Sequence, residues 1–216
     1  MTIMSESPYI HKHIFRMTHI ENLRLVLRDG MYAPNVRQYS DYINIGDENL
    51  IEQRGVFSVP VEPGGVLADY VPFYFGGQSP MLLNIKTGHR GIKQRSQSDI
   101  IFVCSHIDSI VRTCPEFCFT NGHAKDRLTE FYNQIADLNK VDWDAVSRTY
   151  WISTEEEPDL MRRKQAEFLV KSHVPCSCFS GIIVFDDVAA QTVDTIMREA
   201  GLFLPVHIDR KRKYYY

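Results

Sequence analysis

Glu167 heads the run Glu167-Phe168-Leu169-Val170, at the point where the charged stretch 155–164 gives way to an apolar, strand-like segment. A carboxylate at the start of a strand is held rigidly while still facing a cleft. Chemistry at a sugar carbon asks for that combination, although a solvated strand residue would look the same in isolation. Two further segments carry groups that meet ligands. Residues 86–95 place Lys86, Arg90, Lys93 and Arg95 around His89, and residues 209–216 (DRKRKYYY) set four basic side chains before three tyrosines. Basic groups track phosphates and aromatic faces stack on unpaired bases, so both segments suit a single nucleic-acid strand. A solvated loop and a frayed tail are the plainer readings of the same residues.

The elements that position these groups are read from pattern. His13–Met17 reads as a strand. Thr18 is then expected to cap a helix, with Glu21 reaching back to complete a capping box. Ile20, Leu23, Val26 and Leu27 line one helical face, which Gly30 ends. Residues 34–50 look like an irregular surface excursion, and loops of that length usually serve a function. Strand-like runs follow at 69–75 and 99–105, with SPMLLNI at 79–85 between them. Residues 124–138 suit a polar helix, and 143–151 another. GIIVFDD at 181–187 is a buried strand leading into an amphipathic helix capped by Gly201, and LPVHI is a last short strand. Strands and helices do not alternate regularly and no GxGxxG follows a strand, which argues against a Rossmann domain and for a mixed α+β fold.

The chain of 216 residues is expected to form one domain, and its 44% hydrophobic and 12% aromatic content sustains a real core. No run is apolar enough to cross a bilayer, and the first residues lack the basic and apolar regions of a signal peptide, so a cytoplasmic protein with no membrane partner is expected. The net charge of −3 sets up no global basic field. Cys114 and Cys118 are spaced C-x3-C, Cys176 and Cys178 C-x-C, and Cys104 stands apart. Neither spacing is the usual zinc knuckle, so buried reduced thiols and no metal are expected. There is no Walker loop, HExxH, GxSxG or EF-hand loop.

Four segments in order change the weight of Glu167: Arg16-Met17-Thr18 leading into His19-Ile20-Glu21-Asn22-Leu23; Arg54 before VPVEPGG; DYVPFYF at 69–75 with Ser79-Pro80-Met81; and KQAEFLV. Together they resemble the DarT family of toxin ADP-ribosyltransferases that modify DNA bases. Phe119-Thr120-Asn121-Gly122-His123-Ala124 and the closing RKYYY extend the likeness over roughly residues 12–216. The resemblance implies a poly(ADP-ribose) polymerase-like ADP-ribosyltransferase fold, with NAD in a cleft between two small mixed or antiparallel sheets flanked by helices. It implies transfer of ADP-ribose from NAD to a base in single-stranded DNA, with thymidine favoured, reversed by a macrodomain antitoxin of the DarG type.

By position, Glu167 matches the catalytic glutamate and Arg54 an arginine at the reaction centre. Arg16, Met17 and Thr18 match the segment gripping nicotinamide, although many members have histidine in place of Arg16. Asn22, Leu25, Ala33 and Tyr70 join the expected NAD contacts, with Tyr74 sharing the strand face of Tyr70. Residues 38–56 would be the NAD-binding loop and 123–167 the substrate-facing loop. His123, Lys93, Arg95 and Arg212 are the expected DNA contacts. A related transferase acting on RNA or protein, and a non-enzymatic single-strand binder using the tyrosine tail, are the competing readings.

Overall fold

Both faces of the first strand are covered in the computed structural model, which describes residues 7–216. The reading of residues 1–6 as free of a leader lies outside that range. In β1 (His13–His19), Phe15 and Met17 enter one apolar cluster and Ile14 another. Alternation of this kind is what a strand buried on two sides requires. A 3-10 turn at Ile20–Asn22 leads to α1 (Leu23–Asp29), and Gly30 ends it at φ 79°. A Cβ at Gly30 would lie 2.4 Å from the Val174 carbonyl, so glycine is needed for space as well as for conformation.

The expected Thr18 cap is corrected here. β1 stays paired with its neighbour through His19, which keeps Thr18 inside the strand. His19 becomes the cap, its Nδ1 accepting the Glu21 N–H at 3.3 Å.

Next come β2 (Met31–Tyr32), α2 (Glu48–Arg54), β3 (Tyr70–Tyr74), α3 (Pro80–Thr87), β4 (Ile100–His106), α4 (Ile107–Thr113), β5 (Phe117–Thr120) and β6 (Phe131–Tyr132). The rest are α5 (Trp143–Ser147), α6 (Leu160–Lys164), β7 (Glu167–Lys171), β8 (His173–Val174), β9 (Phe179–Val184), α7 (Asp187–Ala200) and β10 (Val206–Ile208). The main sheet runs β10-β9-β4-β1-β3-β7-β5-β6, and β2 with β8 forms a small second sheet. β1 and β3 share the single pair Phe15↔Tyr74, whereas β1 pairs with β4 over seven positions. The long sheet therefore divides at β1/β3 into two four-stranded halves, and the segments expected to hold a ligand converge on that division.

The amphipathic pattern of α7 buries Ala189, Val193, Ile196 and Met197, and Gly201 closes the helix at φ 66°. The expected helix at 124–138 does not form. Ala124 and Leu138 are buried, but Leu128, which a helix would place on the same face, is 71% exposed. Phe131 and Tyr132 pair with β5 instead, placing Tyr132 in a stack on Phe119; tertiary pairing outweighs local propensity. The helix expected at 143–151 stops at Ser147. Among the described residues no helix is long and apolar enough to cross a membrane.

Candidate active site

α6 ends at Lys164, and β7 begins at Glu167 once its backbone N–H finds the Thr120 hydroxyl at 3.0 Å. That hydroxyl in turn bonds the Gly122 carbonyl at 2.7 Å, tying β7 to the turn after β5. The Glu167 side chain is 4% exposed. Arg54, the last residue of α2, brings Nη1 to 3.0 Å from one carboxylate oxygen and 3.2 Å from the other. The Ala124 N–H adds a longer bond of 3.4 Å. A buried carboxylate is tolerated only with such partners. Arg54 is left incompletely bonded, because Nη2 is buried with no hydrogen-bond partner among the described residues. Leaving a guanidinium donor unmet costs roughly 1–3 kcal/mol or more. An oxygen-rich anionic ligand beside Glu167 would recover it.

Two rings flank this pair. Tyr74 lies directly across from Glu167 in the β3/β7 register. Burial pushes its hydroxyl up to about 12, and the neighbouring carboxylate adds to the rise while Arg54 and Arg16 oppose it. It is therefore a donor at neutral pH. His123 leaves β5 on a turn whose N–H bonds the Arg162 carbonyl at 2.9 Å. Burial holds its imidazole below the usual histidine range. Arg54 pushes the same way, and Glu167 pulls against both. Tyr70 does not share the position of Tyr74: it is 1% exposed, and its hydroxyl donates to the Gly64 carbonyl at 2.6 Å. The 59–67 loop covers that end of the shared face, packing Tyr70 with Val59, Leu67 and Leu169. The tyrosine at the carboxylate is Tyr74.

Of the Arg16–Ala33 set, Arg16 sits at the division of the sheet and the others follow through the end of β1, α1 and the residue after β2. Arg16 donates to the Pro72 carbonyl at 3.3 Å, bridging the two halves. The Thr18 hydroxyl, released from capping, lies 3.3 Å from the Tyr42 hydroxyl and accepts from Asn22 at 3.0 Å. The Asn22 amide also grips the backbone of Ile43, donating to its carbonyl at 2.9 Å and accepting its N–H at 2.8 Å. Both amide hydrogens are thereby used, so Asn22 anchors the 38–56 loop and has no donor left for a ligand. Met17 is buried in the second apolar cluster, Leu25 is 6% exposed, and Ala33 is fully buried with its N–H on the Ser172 carbonyl at 2.8 Å.

The expected DNA contacts scatter. Lys93 is exposed, and Arg95 donates to the Asn44 carbonyl at 3.2 Å, placing it against the 38–56 loop. Arg212 lies in the other half of the sheet, its guanidinium 3.8 Å over the Phe185 ring and bonded to the Phe185 carbonyl at 2.7 Å. Of the tyrosines after it, the middle one is withdrawn from any stacking surface and the other two are half-buried. Tyr215 is fully buried and donates to the carbonyls of Ile100 and Ile183 at 2.7 and 3.0 Å. Sequence reasoning passed over Thr120 and Lys164, although both stand inside segments whose likeness to the family was noted; burial of single polar or charged side chains near a strand end leaves no periodic signal.

Residues 15–216 match the profile of the family described as ssDNA thymidine ADP-ribosyltransferase, DarT. A DNA ADP-ribosyl transferase of Escherichia coli O127:H6 (strain E2348/69 / EPEC) is 34% identical over 195 residues, covering 90% of this chain and 89% of the relative. One from Thermus sp. (strain 2.9) is 33% identical over 186 residues, covering 86% and 87%. Among solved structures, Thermus sp. 2.9 DarT in complex with ADP-ribosylated ssDNA superposes with a TM-score of 0.87 at 31% identity, over 98% of this chain and 100% of that one. Its complex with NAD+ gives 0.81 at 30% identity over the same shares. The chain belongs to the DarT family, the DNA ADP-ribosyltransferases that draw on NAD.

Proposed function

We propose that this protein transfers ADP-ribose from NAD to thymidine in single-stranded DNA, with Glu167 at the ribose and Arg54 spanning the carboxylate and the reactants. The observation that carries the reading is the buried Nη2 of Arg54, unpartnered among the described residues beside a carboxylate held at the start of β7. The residues present fit NAD: a phosphate or carbonyl oxygen would meet Nη2, and the planar fork of a guanidinium suits it.

As nicotinamide leaves, positive charge spreads over the ribose carbon and ring oxygen. Glu167, accepting a hydrogen bond from a ribose hydroxyl, stabilises that charge as it develops. The carbon–nitrogen bond to nicotinamide breaks with its electron pair going to the leaving ring, and a bond forms from the base nitrogen to the same carbon. A thymine ring N–H must lose its proton in the process. Arg54 stays charged at ordinary pH, so it stabilises the base anion while Glu167 or water takes the proton. His123, kept neutral by burial, contacts the base by donating or accepting a hydrogen bond.

In this reading the whole chain acts as one ADP-ribosyltransferase domain. The 38–56 loop, anchored by Asn22 and ending at Arg54, closes over NAD, and the 123–167 segment faces the DNA. The protein works as a toxin whose mark a macrodomain antitoxin removes. Incubation with radiolabelled NAD and cell lysate tests the acceptor: nuclease should release the label and protease should not. Release by protease alone would move the assignment to a protein acceptor.

A further inference from the structure

We infer that Lys164 is a positioning residue that fixes the 142–163 stretch against the two strands carrying Tyr74 and Glu167, and so sets how the DNA strand meets the carboxylate. Its side chain is buried, and its Nζ donates to the Val146 carbonyl at 2.8 Å and the Arg148 carbonyl at 2.6 Å. Those carbonyls stand at the C-terminal end of α5, where unpaired acceptors and the negative end of the helix dipole gather. No carboxylate pairs with Lys164 among the described residues. A cation is tolerated in such a place when it satisfies backbone groups that nothing else reaches. Burial alone lowers its amine to about 8.

Gly76 completes the mount. A Cβ there would lie 2.0 Å from the Val146 carbonyl and 3.7 Å from Nζ. Lys164 stands three residues before Glu167 and Gly76 two after Tyr74, so the carbonyl held by Lys164 fits into space that the bare Gly76 leaves. A second mount lies further along. Trp151 Nε1 donates to the Tyr216 hydroxyl at 2.7 Å, which donates to the Gln78 carbonyl at 2.7 Å. Between the mounts, Arg148 is braced by Asp144 and Glu157, both at 2.5 Å. Tyr150 and Ile152 stand 63% and 51% exposed on this braced frame. Rigid presentation of large exposed side chains lowers the ordering cost of binding.

The inference rests on the reading that the 123–167 segment faces DNA. Its test separates the two substrates by measuring the Kd of carba-NAD+ by calorimetry and the KM for a thymidine-containing single-stranded oligonucleotide. Lys164→Met should raise the oligonucleotide KM about tenfold or more while the carba-NAD+ Kd stays within about twofold. Trp151→Phe removes one hydrogen bond without touching Lys164 and should raise the same KM by about threefold. An unchanged KM in both variants, or equal weakening of both substrates, overturns the inference. Should Lys164→Met fail to fold, Trp151→Phe decides alone by the same two readings. Wild-type protein that binds carba-NAD+ but transfers nothing to DNA would instead overturn the reading beneath it.

Discussion

The 209–216 segment and the start of β7 are both charged and aromatic, yet they spend their hydrogen bonds differently. In the first, Asp209 accepts the backbone N–H groups of Lys213, Tyr214 and Tyr215 at 2.7 to 3.0 Å. Gln78 holds the carbonyls of Arg212 and Tyr215, each at 2.7 Å. Donors and acceptors there meet one another inside the protein. Around Glu167 they do not, because Arg54 keeps a buried Nη2 without a partner among the described residues. Basic and aromatic composition alone therefore fails to mark a ligand site. Unspent hydrogen-bonding capacity beside a buried charge is the better sign.

Substitutions sharpen that contrast. Glu167→Gln keeps shape and burial but removes the charge, and transfer should fall on the order of 10³-fold with the far-ultraviolet dichroism of the fold retained. Arg54→Lys replaces a fork with a point charge that cannot face carboxylate and ligand together; steady-state kinetics should show a loss of about 10²-fold. In the other region, Tyr215→Phe should leave transfer per folded molecule unchanged and lower stability in urea by roughly 1–3 kcal/mol, as two buried carbonyls lose a donor.

The pH dependence follows from His123. Its folded pKa lies below the unfolded value, so the neutral form persists at pH 7 and the ring charges only as pH falls under about 6.5. Transfer should fall on that acid side, and the limb should be absent in His123→Gln. The smallest effect is expected at Arg212→Ala, where loss of the contact over Phe185 costs about 0.5–1 kcal/mol of stability. A large rise in the oligonucleotide KM for that variant would break the contrast.

Much of the scaffold was legible because period and punctuation carried it. Gly30 and Gly201 end the helices that the apolar spacing around Leu23 and Val193 predicts. The pairing of Arg54 with Glu167 was not legible from spacing, since the two lie 113 positions apart; likeness to a family brought them together. The errors have a common physical source. Thr18, residues 124–138 and the tyrosine run were read by local preference, and each is decided by long-range partners: β4 for Thr18, β5 for Tyr132, Ile100 and Ile183 for Tyr215. Asn22 came from the family likeness rather than from local preference, and its amide bonds Thr18 and Ile43, anchoring the 38–56 loop.

The role of Glu167 in transfer is decided by the mass of a thymidine-containing single-stranded oligonucleotide after incubation with NAD and either wild-type protein or Glu167→Gln. Wild-type protein should add one ADP-ribose to thymidine, and the variant none over the same time. An equal gain with Glu167→Gln, or no gain on any base with the wild type, would contradict that role.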